Sequence, residues 1–151
     1  MAEDREGLLR HYRDTRQALL AAIAGLSDEQ LIERSLDGWS VKDHLAHVAF
    51  WDDLRASEVT RISAGHETAL RPTAEQGDAL NSLGHELRLR LSLDQVRWEL
   101  ETSQRRLLEA ISAATPRGLD GSLYGEAGLR SDHEAAHTEW LSRYRESTLG
   151  R

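Results

Sequence analysis

Residues 38–52 read GWSVKDHLAHVAFWD, and this stretch decides the fold of the chain. Ser40 stands where the N-cap of a helix belongs, and Asp43 follows three residues later at the position of a capping-box acid. Apolar side chains then recur at helical spacing, at Val41, Leu45, Val48 and Leu54, toward Ile62. This pattern is typical of a long amphipathic helix.

Three other segments carry the same signals. A first helix is predicted from Asp4 to Ala24, a third from Ser92 with Gln95 in the capping-box position, and a fourth from Ser131, boxed by Glu134, to about Arg145. A short helix over residues 27–34 precedes the second long one. Strand signals are almost absent, because β-branched and aromatic residues are sparse. The sequence therefore predicts an all-α four-helix bundle.

The connection between helices two and three is unlike the others. Residues 65–91 contain Gly65, Pro72, Gly77 and Gly84, and the segment is long for a hairpin loop. A long crossover is the natural interpretation, and it would place helices two and three parallel to each other. The length of 151 residues is that of one domain, so we expect residues 1–151 to form a single bundle.

Composition argues against several classes of function. The formal net charge of −7 disfavours binding to nucleic acid, and no apolar run approaches the ~20 residues that a bilayer span needs. The chain has no cysteine, which excludes disulfides, thiolate metal sites and a cysteine nucleophile. The acidic, amphipathic N-terminal residues do not resemble a signal peptide, so we expect a cytoplasmic protein.

Two pairs of histidines have helix-face spacing: His44 with His47, and His133 with His137. Imidazoles four residues apart on a helix can reach one ion, and a third ligand can come from a facing helix of the bundle. Spacing alone is weak evidence, since seven histidines placed at random would give roughly 0.3 such i, i+4 pairs, and a polar helix face is an alternative. Small and apolar neighbours around His47 and His137 favour a metal site, because an unpartnered buried imidazole is costly.

Residues 133–137 read HEAAH and therefore match the zinc-protease expression HExxH, with Glu134 as general base. A zincin has a sheet above this helix and a third ligand downstream, and neither is predicted here. We expect Glu134 to cap the helix at Ser131 and to point away from any ion.

Taken together, residues 38–52 and SDHEAAHTEW at 131–140 resemble the DinB/YfiT-like superfamily of helical-bundle metalloproteins. Its W-[ST]-x-x-[DE]-x-x-x-H segment is matched by Trp39, Ser40, Asp43 and His47, and its H-x-x-x-H segment by His133 and His137. The resemblance implies a four-helix bundle with a long crossover, commonly a homodimer. It also implies zinc or nickel held by His47, His133 and His137, with open positions for water or substrate.

The resemblance implies a metal-dependent enzyme that activates a low-molecular-weight thiol, such as mycothiol or bacillithiol, or water against a small electrophilic substrate. Thiol transferases, isomerases and hydrolytic self-protection proteins are known in the superfamily. The alternative is a non-enzymatic stress-response or sequestering protein that binds metal or ligand without turnover. Arg130 and the crossover arginines are candidates to hold a carboxylate of a cofactor, although no motif selects one.

The remaining aromatic and histidine side chains have no assigned role in the sequence. His44 lacks an equivalent in the family pattern and is expected to be exposed, with a partner of a metal ligand or a substrate contact as the alternatives. His11, His66 and His85 are interpreted as surface residues. The tryptophans that flank the ligand segments are expected to pack in the core, with a role lining a pocket as the alternative; they are Trp39, Trp51 and Trp140.

Overall fold

The protein is described by a computed structural model over residues 2–34, 38–126 and 128–150. Six α-helices and a 3₁₀ turn at Gly121–Tyr124 account for its regular structure, and the described residues contain no strand. The helices are α1 (Arg5–Ala22), α2 (Asp28–Ile32), α3 (Val41–Ser63), α4 (Ala74–Arg88), α5 (Leu93–Ser112) and α6 (His133–Leu149). The all-α prediction is confirmed.

Helices α1, α3, α5 and α6 form the four-helix bundle. Within it, α3 and α5 run parallel to each other. Near their starts Lys42 Nζ donates to the carbonyl of Leu91 at 2.7 Å, and just beyond their ends Thr115 Oγ1 donates to the carbonyl of Ser63 at 3.2 Å. Contacts at matching ends require parallel axes, which the crossover predicted. None of the helices in the described residues is long and apolar enough to cross a membrane.

The sequence identified most helix starts correctly because capping is local. Ser27 and Ser40 each form a reciprocal capping box, with Gln30 and Asp43 respectively. Ser92 Oγ accepts the Gln95 amide N–H at 3.1 Å. These bonds satisfy amide donors that a helix start would otherwise leave without a partner.

The prediction for the start of α6 was wrong. The helix begins at His133 after Asp132, whose side chain makes no capping bond; Ser131 Oγ accepts the His133 amide N–H at 3.2 Å. Glu134 does not return to the backbone of Ser131, because its carboxylate is bound by Arg16 of α1 at 2.7 Å. A buried ion pair therefore takes the place of the predicted capping box.

The crossover contains a helix that the sequence analysis did not identify. Thr73 and Gln76 form a capping box at the start of α4. Gly84 lets α4 lie against α3, since a Cβ at this position would come within 2.9 Å of Phe50 Cε1. Trp51 Nε1 of α3 donates to Asn81 Oδ1 of α4 at 2.8 Å. The crossover thus covers one side of α3 beside the histidines.

Candidate metal centre

The three histidines of the predicted ligand set lie together where α3 meets the start of α6. His47 Nε2 is 3.0 Å from His133 Nε2, and His137 Nε2 is 3.1 Å from the same atom. The three side chains each offer a nitrogen, and these atoms all lie within 4.8 Å of one another. The structure therefore brings His47 next to His133, which lies 86 positions later in the chain. The sequence pattern had grouped these two residues with His137.

The spacing of these nitrogens fits a shared ion. Two nitrogens each about 2.1 Å from one ion, at angles of about 90–110°, lie about 3.0–3.4 Å apart. His133 Nε2 also has two nitrogen neighbours at hydrogen-bond distance, although it carries in its ring plane either one proton or one lone pair. One hydrogen bond cannot satisfy three converging nitrogens well, whereas a cation can accept all three lone pairs.

Two of the three histidines are held in the neutral form that a metal requires. Burial lowers the pKa of His47 to about 4, and the nearby His133, His44 and His85 lower it in the same direction. Burial also lowers the pKa of His133 to about 4, helped by the positive charge of Arg55. At neutral pH these rings keep a free lone pair, so no proton has to be displaced before a metal binds.

His44 is buried, and the expectation that it is exposed was wrong. Only 5% of the residue is accessible, and its Nδ1 lies 2.8 Å from His137 Nδ1. If His137 Nε2 presents its lone pair to an ion, its Nδ1 carries the proton and donates to His44. His44 is therefore placed to fix the tautomer and ring orientation of His137.

Tryptophan rings surround this cluster, as the alternative expectation had it, and Trp140 also packs against the core, as the favoured expectation had it. Trp140 stacks on His44 with a centroid distance of 4.5 Å. Trp39 lies edge-on to His47 at 5.4 Å, and Trp51 approaches the same ring at 6.5 Å. All three are half-buried. They form an apolar wall that restricts the approach of water to the histidines.

Two of the histidines expected at the surface, His85 and His11, contact residues around the histidine cluster or the loop before α6. His85 of α4 stacks on Trp39 with a centroid distance of 4.5 Å and an interplanar angle of 6°. His11 Nε2 contacts the carbonyl of Ser131 at 2.8 Å, which ties the loop before α6 to α1. His66 is exposed, as expected.

A buried ion cluster lies beneath the histidines and was not identified from the sequence. Arg16 Nε binds Glu134 at 2.7 Å, its second terminal nitrogen binds Asp52 at 2.5 Å, and its first donates to the carbonyl of Leu100 at 2.8 Å. Burial raises the pKa of Asp52 to about 6, against the opposing effect of Arg16. Arg16 thus joins α1 to α3, α5 and α6.

The same ion cluster determines where Glu134 of the HEAAH motif points. The two oxygens of Glu134 face Arg16 and Thr15 of α1, at 2.7 and 3.5 Å. A carboxylate held there is not free to act as a base at the histidines. Glu134 therefore points away from the cluster, as expected, although the partner is an arginine and not the predicted cap.

Arg130 does not face the histidines. Its guanidinium binds Glu3 Oε2 at 3.1 Å, and both side chains lie at the surface near the chain start. A different arginine, Arg55, lies on α3 two turns after His47, and its positive charge lowers the pKa of His133. The signal that could have identified it is the helical spacing of His47, Trp51 and Arg55 on one face.

Comparison with known proteins places this geometry in context. The family profile described as the DinB superfamily matches residues 11–141. No match was found among curated proteins. An uncharacterised protein from Escherichia coli UTI89 has a similar crystal structure, with a TM-score of 0.74, 17% identity and coverage of 94% of this chain and 91% of that one.

Two further solved structures share the fold. The first is described as the sibling lethal factor precursor DfsB, with a TM-score of 0.73, 16% identity and coverage of 99% and 98% of the two chains. The second is a mycothiol-dependent maleylpyruvate isomerase, with a TM-score of 0.65 and 19% identity; the match covers 92% of this chain and 58% of the isomerase. At these identities the similarity establishes the fold alone.

Proposed function

The chain belongs to the DinB superfamily, and from that premise we propose that His47, His133 and His137 bind a divalent metal ion, zinc or nickel, at which a small electrophile reacts with a thiol or with water. The observation that carries this proposal is the convergence of three histidine nitrogens, with two distances of 3.0 and 3.1 Å, in a half-enclosed cluster. Imidazole ligands suit zinc and nickel, and three protein ligands leave a position open.

The bound ion would supply Lewis acidity, which polarises a carbonyl and lowers the pKa of a thiol or water next to it. The chain itself supplies orientation and exclusion of water. His44 directs His137, the Arg16 cluster holds α6 against α1 and α3, and the tryptophan wall restricts solvent.

The surroundings favour a thiol over water as the nucleophile. A carboxylate or another base beside a metal-bound water assists its reaction by taking up its proton. The buried carboxylates that the described residues place near the cluster are already engaged: Asp52 and Glu134 bind Arg16, and Asp43 caps α3. A thiol loses its proton more easily than water, and a chain without cysteine must take that thiol from outside. The fold shared with a mycothiol-dependent isomerase supports this choice.

Metal content tests the first part of the proposal. Protein purified without an affinity tag should contain close to one equivalent of zinc or nickel by mass spectrometry. His47→Ala and His137→Ala should each lose it, whereas His66→Ala, at an exposed histidine, should retain it. Sub-stoichiometric metal that is unchanged in His47→Ala would refute the site.

Turnover tests the second part. Metal-loaded protein should accelerate conjugation of an aryl chloride with mycothiol or bacillithiol, and a chelator should abolish the acceleration. A rate that neither the thiol nor the chelator changes would refute the enzymatic proposal. Stoichiometric metal without turnover would instead support a sequestering protein.

A further inference from the structure

A small cavity lies beside the histidines along the same face of α3. Its volume is about 120 Å³, and its lining comprises Trp51, Arg55, Glu58, Thr68, Leu70, Pro72, Tyr124 and Gly128. Trp51 lies between the cavity and the histidine cluster, since it lines the cavity and its ring centre is 6.4 Å from that of His133. His47, Trp51, Arg55 and Glu58 follow one another at helical spacing, so a molecule in this cavity would lie next to the cluster.

The wall opposite α3 is fixed in place by Glu58. This buried carboxylate accepts hydrogen bonds from Thr68 Oγ1 at 2.5 Å and from the Ala69 amide at 3.2 Å, and it pairs with Arg61. The start of the crossover is thereby attached to α3. The ion pair with Arg61 offsets part of the negative charge that Glu58 brings to the cavity.

Arg55 is the charged side chain of this cavity that lacks a close partner. Its side chain is only 13% exposed, and its ion pair to Asp52 Oδ1 is 4.0 Å long. The other oxygen of Asp52, Oδ2, is bound by Arg16 at 2.5 Å. Within residues 2–34, 38–126 and 128–150 no hydrogen-bond acceptor is found for the Arg55 guanidinium, which lies 5.8 Å from the Tyr12 ring centre.

A guanidinium has five N–H donors in a planar fork that matches a carboxylate. A largely buried one without acceptors is poorly solvated, and an anion beside it would gain charge-assisted hydrogen bonds. The cavity adjoins an open hollow of about 620 Å³, and Leu70, Pro72 and Tyr124 line both. The Arg55 side chain is itself 13% exposed, so a small molecule can reach it from solvent.

We propose that this cavity binds a carboxylate, with Arg55 as the anion-binding residue and Trp51 packed against the adjoining carbon atoms. The carboxylate belongs to the electrophile that reacts at the histidines; that assignment rests on the proposed function, whereas the anion site does not. The substrate class is therefore a small organic acid whose reactive carbon lies a few bonds from its carboxylate.

Succinate is a suitable probe, titrated calorimetrically into zinc-loaded and chelator-treated protein. Arg55→Met should weaken binding about 10-fold or more, the loss expected for a charge-assisted hydrogen bond. Arg55→Lys should bind between the two, because it keeps the charge and loses the fork. Arg105→Met, at an exposed arginine paired with Glu101 on α5, should bind like the parent protein.

A chemical measurement avoids dependence on the stability of the variants. Phenylglyoxal modification of Arg55 in the parent protein, followed by peptide mass spectrometry, should be slowed by succinate and not by the uncharged diamide. No succinate binding at millimolar concentration, equal binding by Arg55→Met, or modification of Arg55 unaffected by succinate would each overturn the inference.

The metal measurements separate the two proposals. Arg55-dependent succinate binding in protein that does not bind metal would refute the proposed function and leave the anion site standing. Stoichiometric metal without Arg55-dependent succinate binding would do the reverse.

Discussion

Replacing Arg16 with methionine should destabilise the fold severely, because its side chain joins α1 to the other three helices of the bundle. The side chain is 5% exposed, and its guanidinium binds Asp52, Glu134 and the carbonyl of Leu100. Methionine fills much of the same volume and leaves the packing largely intact. The substitution therefore tests the charge, and the two carboxylates lose their principal cationic partner.

The size of the stability loss follows from the two carboxylates that remain buried without Arg16. Removing one member of a buried ion pair costs about 3–5 kcal/mol, since the partner is left as an uncompensated charge. Asp52 and Glu134 are 5% and 9% exposed at their side chains, so water cannot replace the arginine. A domain of this size is stable by about 5–15 kcal/mol. We therefore expect the variant to lose about a fifth or more of its free energy of unfolding.

The loss should depend on pH in a defined direction. The pKa of Asp52 is already about 6 with Arg16 present, and removing the cation should raise it further. A group whose folded pKa lies above its unfolded value contributes stability below the unfolded pKa, and this is lost as pH rises through the folded pKa. The deficit of the variant relative to the parent should thus be larger at pH 8 than at pH 5.

Urea unfolding of metal-free protein, followed by circular dichroism at both pH values, measures this deficit. The triple variant Arg16→Met, Asp52→Asn, Glu134→Gln should recover part of the loss, because no unpaired charge remains. Arg105→Met should change stability by less than about 0.5 kcal/mol, as expected for an exposed ion pair. A deficit below about 1 kcal/mol at pH 8, or one that shrinks as pH rises, would contradict the reasoning.

Two further predictions concern the histidines. His44→Phe keeps the stacking on Trp140 but removes the partner of His137 Nδ1, and it should weaken zinc affinity about 10–100-fold in a competition titration with a chelator; unchanged affinity would show that His44 only packs. Since the pKa values of His47 and His133 are lowered to about 4, zinc occupancy measured by equilibrium dialysis should stay constant from pH 7.5 to 6 and fall as the pH approaches that pKa. Loss of zinc centred near pH 6.5, the ordinary value for histidine, would contradict the burial argument.

Local signals in the sequence predicted the bundle well. The Ser40 and Asp43 capping box and the apolar spacing of α3 are properties of a few neighbouring residues, so the sequence alone indicates them. The parallel axes of α3 and α5 followed from the length of the crossover. Helix α4 was missed because Gly77 and Gly84 inside it resemble loop residues, whereas Gly84 is required by the close approach of Phe50.

The errors at the site arose from partners far apart in the chain. Glu134 fits a capping box by spacing, but Arg16 lies 118 residues away and offers a stronger bond. His44 was expected to be exposed because nothing in its own segment covers it; His137 and Trp140 of α6 do so. Nothing in the order of residues indicates such pairs until the helices are packed.

These distant partners explain why the histidine cluster is suited to binding without rearrangement. Arg16 ties the first turn of α6 to α1 and α3, and this sets the height at which His133 faces His47. Their nitrogens already lie at 3.0 Å, a spacing that an ion would otherwise have to impose. Because metal binding then requires little ordering of the chain, most of the free energy of metal binding should stabilise the folded state. The Arg16→Met variant should therefore bind zinc more weakly than the parent even where it remains folded, and equal affinity would show that the ion cluster supports the bundle without organising the site.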